Sequence, residues 1–173
     1  MDHHLPKEVF PQFSLYSLNL VPACHRCNHA KGENYQGGVL GQRGVHPYFD
    51  DFVGGRALTA RFEPPWNAPK VSIIPFNVTG DALLAVQWQI ENVILRAGIE
   101  NTLRGLWGQL VVNPRKSLRL KQGLTDVATV QALFIELAGW AAHMQMSEND
   151  WQAVFYHGVA NSPGADAYVV SLL

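Results

Sequence analysis

Segment 2–31 decides how the N-terminal part of this chain folds, and it reads DHHLPKEVFPQFSLYSLNLVPACHRCNHAK. Histidine, cysteine and asparagine, residue types that bind metals and form hydrogen bonds, are concentrated here at close spacing. After them, Gly37, Gly38, Gly41 and Gly44 form a stretch that is typical of a flexible connection. The sequence therefore predicts a small site-bearing unit over residues 1–45.

Residues 46–173 are predicted to be mainly α-helical, after an initial segment of loops and short strands. Within that segment, residues 71–74 (Val-Ser-Ile-Ile) have the composition of a short strand. Apolar residues at helical spacing predict one helix from residue 81, a second through residues 103–110 and a third over residues 126–146. Together with the N-terminal unit, this arrangement predicts an α+β fold.

A fourth helix is predicted after the third. Ser147, followed by Asp150, resembles an N-cap and its partner that open a helix through Trp151 and Phe155. The tryptophans of the helical region are predicted to be core residues rather than platforms for stacked bases. They are Trp88, Trp107, Trp140 and Trp151.

Composition indicates a folded, soluble protein. Of the 173 residues, 47% are hydrophobic and only 16% are charged, which is typical of a globular chain and excludes extensive disorder. The sequence has no run of about 18 apolar residues of the kind that spans a bilayer, and its first residues do not resemble a secretory signal. We therefore expect a cytoplasmic protein without a membrane partner.

Charge is unevenly distributed along the chain. The net charge of −1 argues against a nucleic-acid binder that depends on a large basic face. Arg115, Lys116, Arg119 and Lys121 lie close together, whereas residues 122–173 contain no lysine or arginine. We interpret the basic cluster as a solvated helix or loop rather than as a DNA groove.

The elements of segment 2–31 occur in a distinctive order. Asp2-His3 is followed by Pro6, then by Asn19-Leu20-Val21, and then by Cys24-x-x-Cys27 with Asn28 next and Lys31 three positions on. This order resembles the HNH endonuclease family, in the variant with asparagine at the last position that CRISPR nucleases and several bacterial defence nucleases carry. The His-Pro-Tyr-Phe-Asp run at 46–50 also resembles the segment downstream of the site in the defence group.

The resemblance implies a ββα-metal unit, which is a hairpin followed by a helix. Asp2 and His3 would end the first strand, Asn19 would lie near the second, and Asn28 and Lys31 would lie on the helix. It implies that His3 is the general base and that Asp2 and Asn28 hold a catalytic Mg²⁺ or Mn²⁺. Asn19 would organise the loop that aims His3, and Lys31 would contact a phosphate. The products would carry 5′-phosphate ends.

The residue types suit phosphodiester hydrolysis on physical grounds as well. The reaction needs a base for the attacking water and a cation that neutralises charge on the phosphate. A histidine such as His3 supplies the base near neutral pH. The carboxylate of Asp2 and the amide oxygen of Asn28 are hard ligands suited to Mg²⁺ or Mn²⁺. Adjacent strand residues point to opposite sides, so Asp2 and His3 serve one site only where the backbone bends or the strand ends.

Cys24 and Cys27 are the chain's two cysteines, and they are too close together for an ordinary fold-stapling disulfide. In the family that the motif resembles, such a pair stabilises the fold through zinc. A structural zinc site takes four ligands. His25, His29 or a second Cys-x-x-Cys upstream of Met1 are candidates for the others, and unmetallated thiols packed in a small core are an equal alternative.

The motif begins at residue 2, without the strand that normally precedes the Asp-His pair. Residues outside a packed element are seldom held with the accuracy that catalysis needs. We therefore expect Asp2 and His3 to be poorly held and the chain by itself to show little nuclease activity. We also expect it to bind less than one equivalent of zinc and to keep a folded helical region.

The sequence thus predicts a metal-dependent endonuclease that cuts DNA, as the effector of a bacterial defence or mobile-element system. One alternative is a non-catalytic subunit whose acidic, tryptophan-rich helical region binds a protein partner such as an ATPase subunit. Another is a zinc-binding interaction module that rests on Cys24 and Cys27.

Overall fold

The computed structural model describes residues 1–118 and 126–173 and is an α+β structure with a small sheet early in the chain. Arg119 and Lys121 of the predicted basic cluster lie outside the described residues. The strands are β1 (Asp2–His3), β2 (Leu20–Val21), β3 (Leu58–Glu63) and β4 (Lys70–Pro75). The helices are α1 (His25–Lys31), α2 (Gly80–Gln89), α3 (Ile99–Val112), α4 (Pro114–Ser117), α5 (Val127–Gln145), α6 (Trp151–Ala160) and α7 (Ala165–Ser171).

Packing divides the chain into two compact units. Unit 1 comprises Met1–Val53 and Pro75–Ile99, and unit 2 comprises Gly54–Ile74 and Glu100–Leu173. The segment around α2 therefore belongs with the N-terminal residues by packing, although it follows them only after an excursion into unit 2. The predicted boundary after residue 45 does not coincide with this division, and as a statement about separate domains it stays a prediction.

Unit 1 is built on a short hairpin and one helix. β1 and β2 are antiparallel, with Asp2 opposite Val21 and His3 opposite Leu20. Helix α1 follows directly and ends at Gly32, whose φ of 53° is a conformation that glycine adopts without strain. α1 packs against a π-helical turn, Ile90–Ile94, that continues α2. The predicted order of strand, strand and helix over residues 2–31 is the order observed.

Unit 2 places its helices on a second small sheet. β3 and β4 pair as a two-stranded sheet, as the sequence predicted for residues 71–74, and α6 packs on β3. Phe62 of β3 lies between the rings of Trp107 and Phe155, with centroids 5.6 Å from each. α5 packs on α6 and α7. This aromatic cluster and the α5–α6 contact form the core of unit 2.

Two details of the helical region differ from the sequence-based expectation. Asp150 caps α6 by accepting a hydrogen bond from the Gln152 amide, whereas the Ser147 hydroxyl accepts from the Asn149 amide, so Ser147 is not the N-cap. Trp88 and Trp107 are buried and Trp151 is half-buried, but Trp140 is 49% exposed. The prediction that all four tryptophans are core residues is wrong for Trp140.

Helix α5 is the one helix, among the described residues, that is long and apolar enough to cross a membrane by length and composition. The core helix of a soluble protein passes the same test. The buried stripe Val130, Phe134, Ala138 and Ala141 lies along α5, which fits a soluble protein.

We predict that Gly158→Ala destabilises the protein while Gly139→Ala does not. A Cβ atom on Gly158 would lie 2.6 Å from the Ala60 carbonyl oxygen of β3, so α6 and β3 would have to separate. Overpacking of this kind costs about 1–3 kcal/mol. A Cβ on Gly139, in the middle of α5, meets nothing within 4 Å. Equal free energies of unfolding for the two variants in urea titrations would contradict the packing described here.

Candidate functional site

The hairpin and α1 bring four of the sequence-predicted site residues together. The Lys31 ammonium lies 3.1 Å from the Asp2 carboxylate and donates to the His3 carbonyl oxygen at 2.7 Å. The Asn28 side-chain amide donates to the Met1 carbonyl oxygen at 3.3 Å. Asp2 is only 8% exposed, so these contacts and the pairing with β2 hold the first strand against α1. The expectation that Asp2 and His3 are poorly held is therefore wrong.

The His3 ring is held in one orientation by the loop between β1 and β2. Its Nε2 lies 3.0 Å from the Ser14 carbonyl oxygen, and a carbonyl oxygen can only accept. Nε2 therefore carries the proton, and in the neutral ring the lone pair is on Nδ1. His3 is half-buried, so part of the residue is in contact with solvent. The ring thus presents a proton acceptor while its other nitrogen is fixed.

Asn19 organises the loop that holds His3. Its side chain accepts from the Leu5 amide at 2.7 Å and donates to the carbonyl oxygens of Leu5 and Phe13 at 3.1 Å each. Its backbone carbonyl accepts from the His4 amide at 2.8 Å, next to β2. Phe13 directly precedes Ser14, so the Asn19 side chain sets the place of the carbonyl that receives the His3 proton. This is the contact pattern that the predicted organising role requires.

A divalent cation at this site would be held by Asp2 and Asn28. Their carboxylate and amide oxygens are the hard ligands that Mg²⁺ takes, and Mg²⁺ is usually bound through only one or two carboxylates with water completing its shell. The described residues contain no group of three or more His, Cys, Asp or Glu side chains arranged for a metal. Binding of Mg²⁺ or Mn²⁺ by Asp2 and Asn28 therefore stays a prediction.

Lys31 is buried and paired, unlike an exposed lysine that is free to contact a phosphate. It is 6% exposed, and its ammonium is engaged with Asp2 and with the His3 backbone. In this arrangement the charge of Lys31 balances the buried carboxylate and ties α1 to β1. Its contact with a phosphate stays a prediction.

Cys24 and Cys27 lie at the start of α1 as free thiols. Cys24 is exposed and caps the helix, with its sulfur accepting from the Cys27 amide at 3.3 Å. The rings of His25 and His29 stack on each other with centroids 6.3 Å apart. No third ligand joins the two sulfurs among the residues described, and zinc binding stays a prediction.

Several residues that contact the site loop were not assigned from the sequence. His46 is buried, and its ring lies 4.4 Å from the ring of His4. Arg43 and Asp50 form an ion pair beside it. The signal that marks them is the His-Pro-Tyr-Phe-Asp run at 46–50, whose resemblance to a downstream segment of defence nucleases indicated a connection with the site but no contact.

Comparisons with known proteins give one local similarity. No protein-family model matches the chain. A stretch of 51 residues is 41% identical to part of Protein ea31 of Escherichia phage lambda. It covers 29% of this chain and 17% of the phage protein, so the chain matches less than a fifth of that relative's length. No solved structure matches.

We predict that His4 makes the protein less stable in mild acid. Burial, followed by the charges of His46, Lys31 and Arg43, lowers the pKa of His4 from 6.5 to about 4, while Asp50 acts in the opposite direction. The unfolded chain therefore binds more protons between those two pH values, and the stability that the neutral ring contributes is lost as pH falls from about 6.5 towards about 4.

The free energy of unfolding should then fall less steeply with decreasing pH for His4→Phe, which keeps an aromatic ring but has no titrating nitrogen. Burial also lowers the pKa of His157 in unit 2, so part of the slope remains in this variant. Identical slopes for the natural protein and His4→Phe would contradict the buried, neutral state of His4.

We predict that iodoacetamide alkylates Cys24 before Cys27 near neutral pH. Burial raises the pKa of the Cys24 thiol, but hydrogen bonds from Cys27 and Arg26 and the charge of Arg26 outweigh it and lower the pKa. Burial and the hydrogen bond with Cys24 raise the pKa of Cys27 to about 12. Because the thiolate is the nucleophile, peptide mass spectrometry should show Cys24 modified first, with equal rates in urea as the control. Faster reaction of Cys27 in the folded protein would overturn this assignment.

Proposed function

We propose that this protein is a metal-dependent endonuclease of the HNH type that hydrolyses phosphodiester bonds in DNA. The observation that carries the proposal is the geometry of His3: its Nε2 donates to the Ser14 carbonyl oxygen, which leaves Nδ1 as the proton acceptor at the end of β1. A general base must have its lone pair fixed and accessible before a substrate arrives. The order of residues in segment 2–31 supplies the reaction class.

Each site residue has a distinct task in this proposal. His3 takes the proton from the water that attacks the phosphorus, and Asn19 keeps the loop carbonyl in place so that the ring does not turn. Asp2 and Asn28 hold Mg²⁺ or Mn²⁺, which when bound supplies positive charge for the phosphate and the departing 3′ oxygen. Lys31 pairs with the Asp2 carboxylate and holds it close to α1. The products carry 5′-phosphate ends.

The biological setting that we propose is a bacterial defence or mobile-element system in the cytoplasm. The local similarity to a protein of phage lambda supports a mobile-element connection. The small excess of acidic over basic residues supports the view that the chain does not bind DNA through a broad basic face. We therefore propose that an ATPase partner subunit contributes to substrate binding.

A second candidate function is a non-catalytic subunit that binds a protein partner, and the exposed apolar surface of α5 favours it. The most apolar 18-residue window of this helix is only 22% buried, and Ile135, Trp140 and Met144 are 61%, 49% and 57% exposed. A large exposed apolar surface is typical of a protein contact site. This candidate keeps the fold and predicts no cleavage.

A nicking assay decides between the two functions. Because β2 and α1 hold Asp2 and His3, we expect the protein to nick supercoiled plasmid in Mg²⁺ or Mn²⁺, in place of the low activity expected from the sequence. His3→Ala should lower the rate by about 10²–10⁴-fold, which is the usual effect of losing a general base. Asn28→Ala should raise the metal concentration needed for half-maximal rate. His143→Ala, which replaces an exposed histidine of unit 2, is the matched control and should leave nicking unchanged.

Circular dichroism checks that the variants fold. Undiminished nicking by folded His3→Ala would overturn the role of His3. A natural protein that cuts no DNA in either metal would overturn the nuclease proposal and favour the partner-binding function.

A further inference from the structure

A second set of contacts joins residues 43–50 to the loop that holds His3, and we call Arg43, His46, Tyr48 and Asp50 the brace. Arg43 donates to both carboxylate oxygens of Asp50, at 2.7 and 2.5 Å. Asp50 also accepts from the His46 backbone amide at 2.6 Å. The two-pronged ion pair and this amide contact fix the turn on which His46 is carried.

Asp50 is ionised in this arrangement. Burial by itself would raise the pKa of the carboxyl group, but the hydrogen bonds from Arg43 and from the His46 amide, together with the charge of Arg43, lower it. The ion pair therefore persists across the neutral range and supports the turn.

The His46 ring has both nitrogens engaged. Nε2 lies 3.0 Å from the Leu18 carbonyl oxygen, and Nδ1 accepts from the Tyr48 amide at 3.2 Å. Since a carbonyl oxygen only accepts and an amide only donates, the proton is on Nε2. The Tyr48 hydroxyl in turn donates to the Leu20 carbonyl oxygen at 3.3 Å.

These bonds hold the two carbonyl groups on either side of Asn19. Leu18 precedes Asn19 and Leu20 follows it, so the brace fixes the backbone from which the Asn19 side chain projects. That side chain holds Phe13, and the next residue, Ser14, accepts from His3. Hydrogen bonds, together with the peptide links Leu18–Asn19 and Phe13–Ser14, thus connect His46 to the ring of His3.

The hairpin alone does not hold this loop. β1 and β2 share only two residue pairs, and isolated two-stranded hairpins are marginally stable at best. The loop between them contains short 3₁₀ turns at Pro11–Phe13 and Ser17–Asn19 rather than a helix or strand. Phe10 packs on Tyr35 in the first half of the loop, but Leu15, next to Ser14, is 94% exposed, so its side chain does not anchor the segment that contacts His3.

We propose that His46 is a positioning residue for His3, acting through Leu18 and Asn19. The proposal rests on the proposed function for its catalytic consequence, but the orientation of the His3 ring is measurable without cleavage. Loss of the brace should let the Ser14 carbonyl move, so that Nε2 of His3 loses its acceptor and the proton is shared between the two ring nitrogens.

The test combines nitrogen-15 NMR of the histidine rings with nicking kinetics. In the natural protein, the His3 signals, assigned by their absence in His3→Ala, should show the proton on Nε2. His46→Ala should give a mixture of tautomers and lower kcat by about 10²-fold, the usual cost of misplacing a catalytic group by about 1 Å, with DNA affinity unchanged. His46→Gln, whose amide can donate to the Leu18 carbonyl, should recover most of the rate.

Tyr48→Phe and His143→Ala complete the experiment. Tyr48 is 49% exposed, so removing its hydroxyl breaks the bond to Leu20 without disturbing a core residue, and it should shift the His3 signals in the same direction by a smaller amount. His143→Ala should change neither readout. Should His46→Ala fail to fold, Tyr48→Phe still reports on the brace.

Three outcomes separate the proposals. Altered His3 tautomers in folded His46→Ala or Tyr48→Phe support the positioning role. An unchanged His3 signal in every folded brace variant overturns it, whatever the nicking rate. If the natural protein cuts no DNA, the nuclease proposal fails and the His3 signals alone decide the positioning role.

Discussion

The side-chain amide of Asn19 is the interaction on which the candidate site depends. The segment between β1 and β2 has little regular structure, so its backbone polar groups need partners from elsewhere. Asn19 provides three of these hydrogen bonds from one buried position, two to Leu5 and one to Phe13. An aspartate or leucine at this position could not make all three hydrogen bonds and would leave a backbone group of the loop without a partner. Each unsatisfied buried polar group costs about 1–3 kcal/mol. The orientation of His3 therefore depends on this amide.

Unit 1 contains two buried or half-buried ion pairs that stabilise its fold. Lys31 balances Asp2 and Arg43 balances Asp50, and each pair also binds a backbone group of the hairpin or of the turn beside it. Burying one member of such a pair without the other would cost several kcal/mol. A divalent cation at Asp2 would therefore share its carboxylate with an ammonium group. Such sharing would weaken the binding of a cation at Asp2.

Local patterns predicted β4 and the longer helices of this fold, but not β3, α4 or α7, and they left contacts between distant segments open. The resemblance of segment 2–31 to the HNH family implied α1, and Asp126 caps α5 at the residue where the third helix was predicted to begin. Trp140 fails because the buried stripe runs through Phe134, Ala138 and Ala141, and a residue two positions after Ala138 lies about 200° around the helix. Lys31 lies on the same face of α1 as Asn28, as predicted, but its ammonium is buried because Asp2 and His3 of β1 lie next to it. The hydrogen bond from His46 to Leu18 could not be predicted from segment 2–31, because His46 lies outside that segment.

Segment 2–31 packs together with residues 75–99, which follow it in the chain only after part of unit 2. The outer surface of α1 is covered by Ile90–Ile94, and the guanidinium of Arg26 donates to the carbonyl oxygens of Ala97 and Gly98. Gly44 lies against the rings of His4 and Trp88, so even the glycine-rich stretch is packed on residues from α2. A hairpin of two residue pairs and a seven-residue helix bury too little apolar surface to fold alone. The segment around α2 therefore supplies the core that the motif lacks, and the residues of the candidate site are held in place by packing from both parts of unit 1.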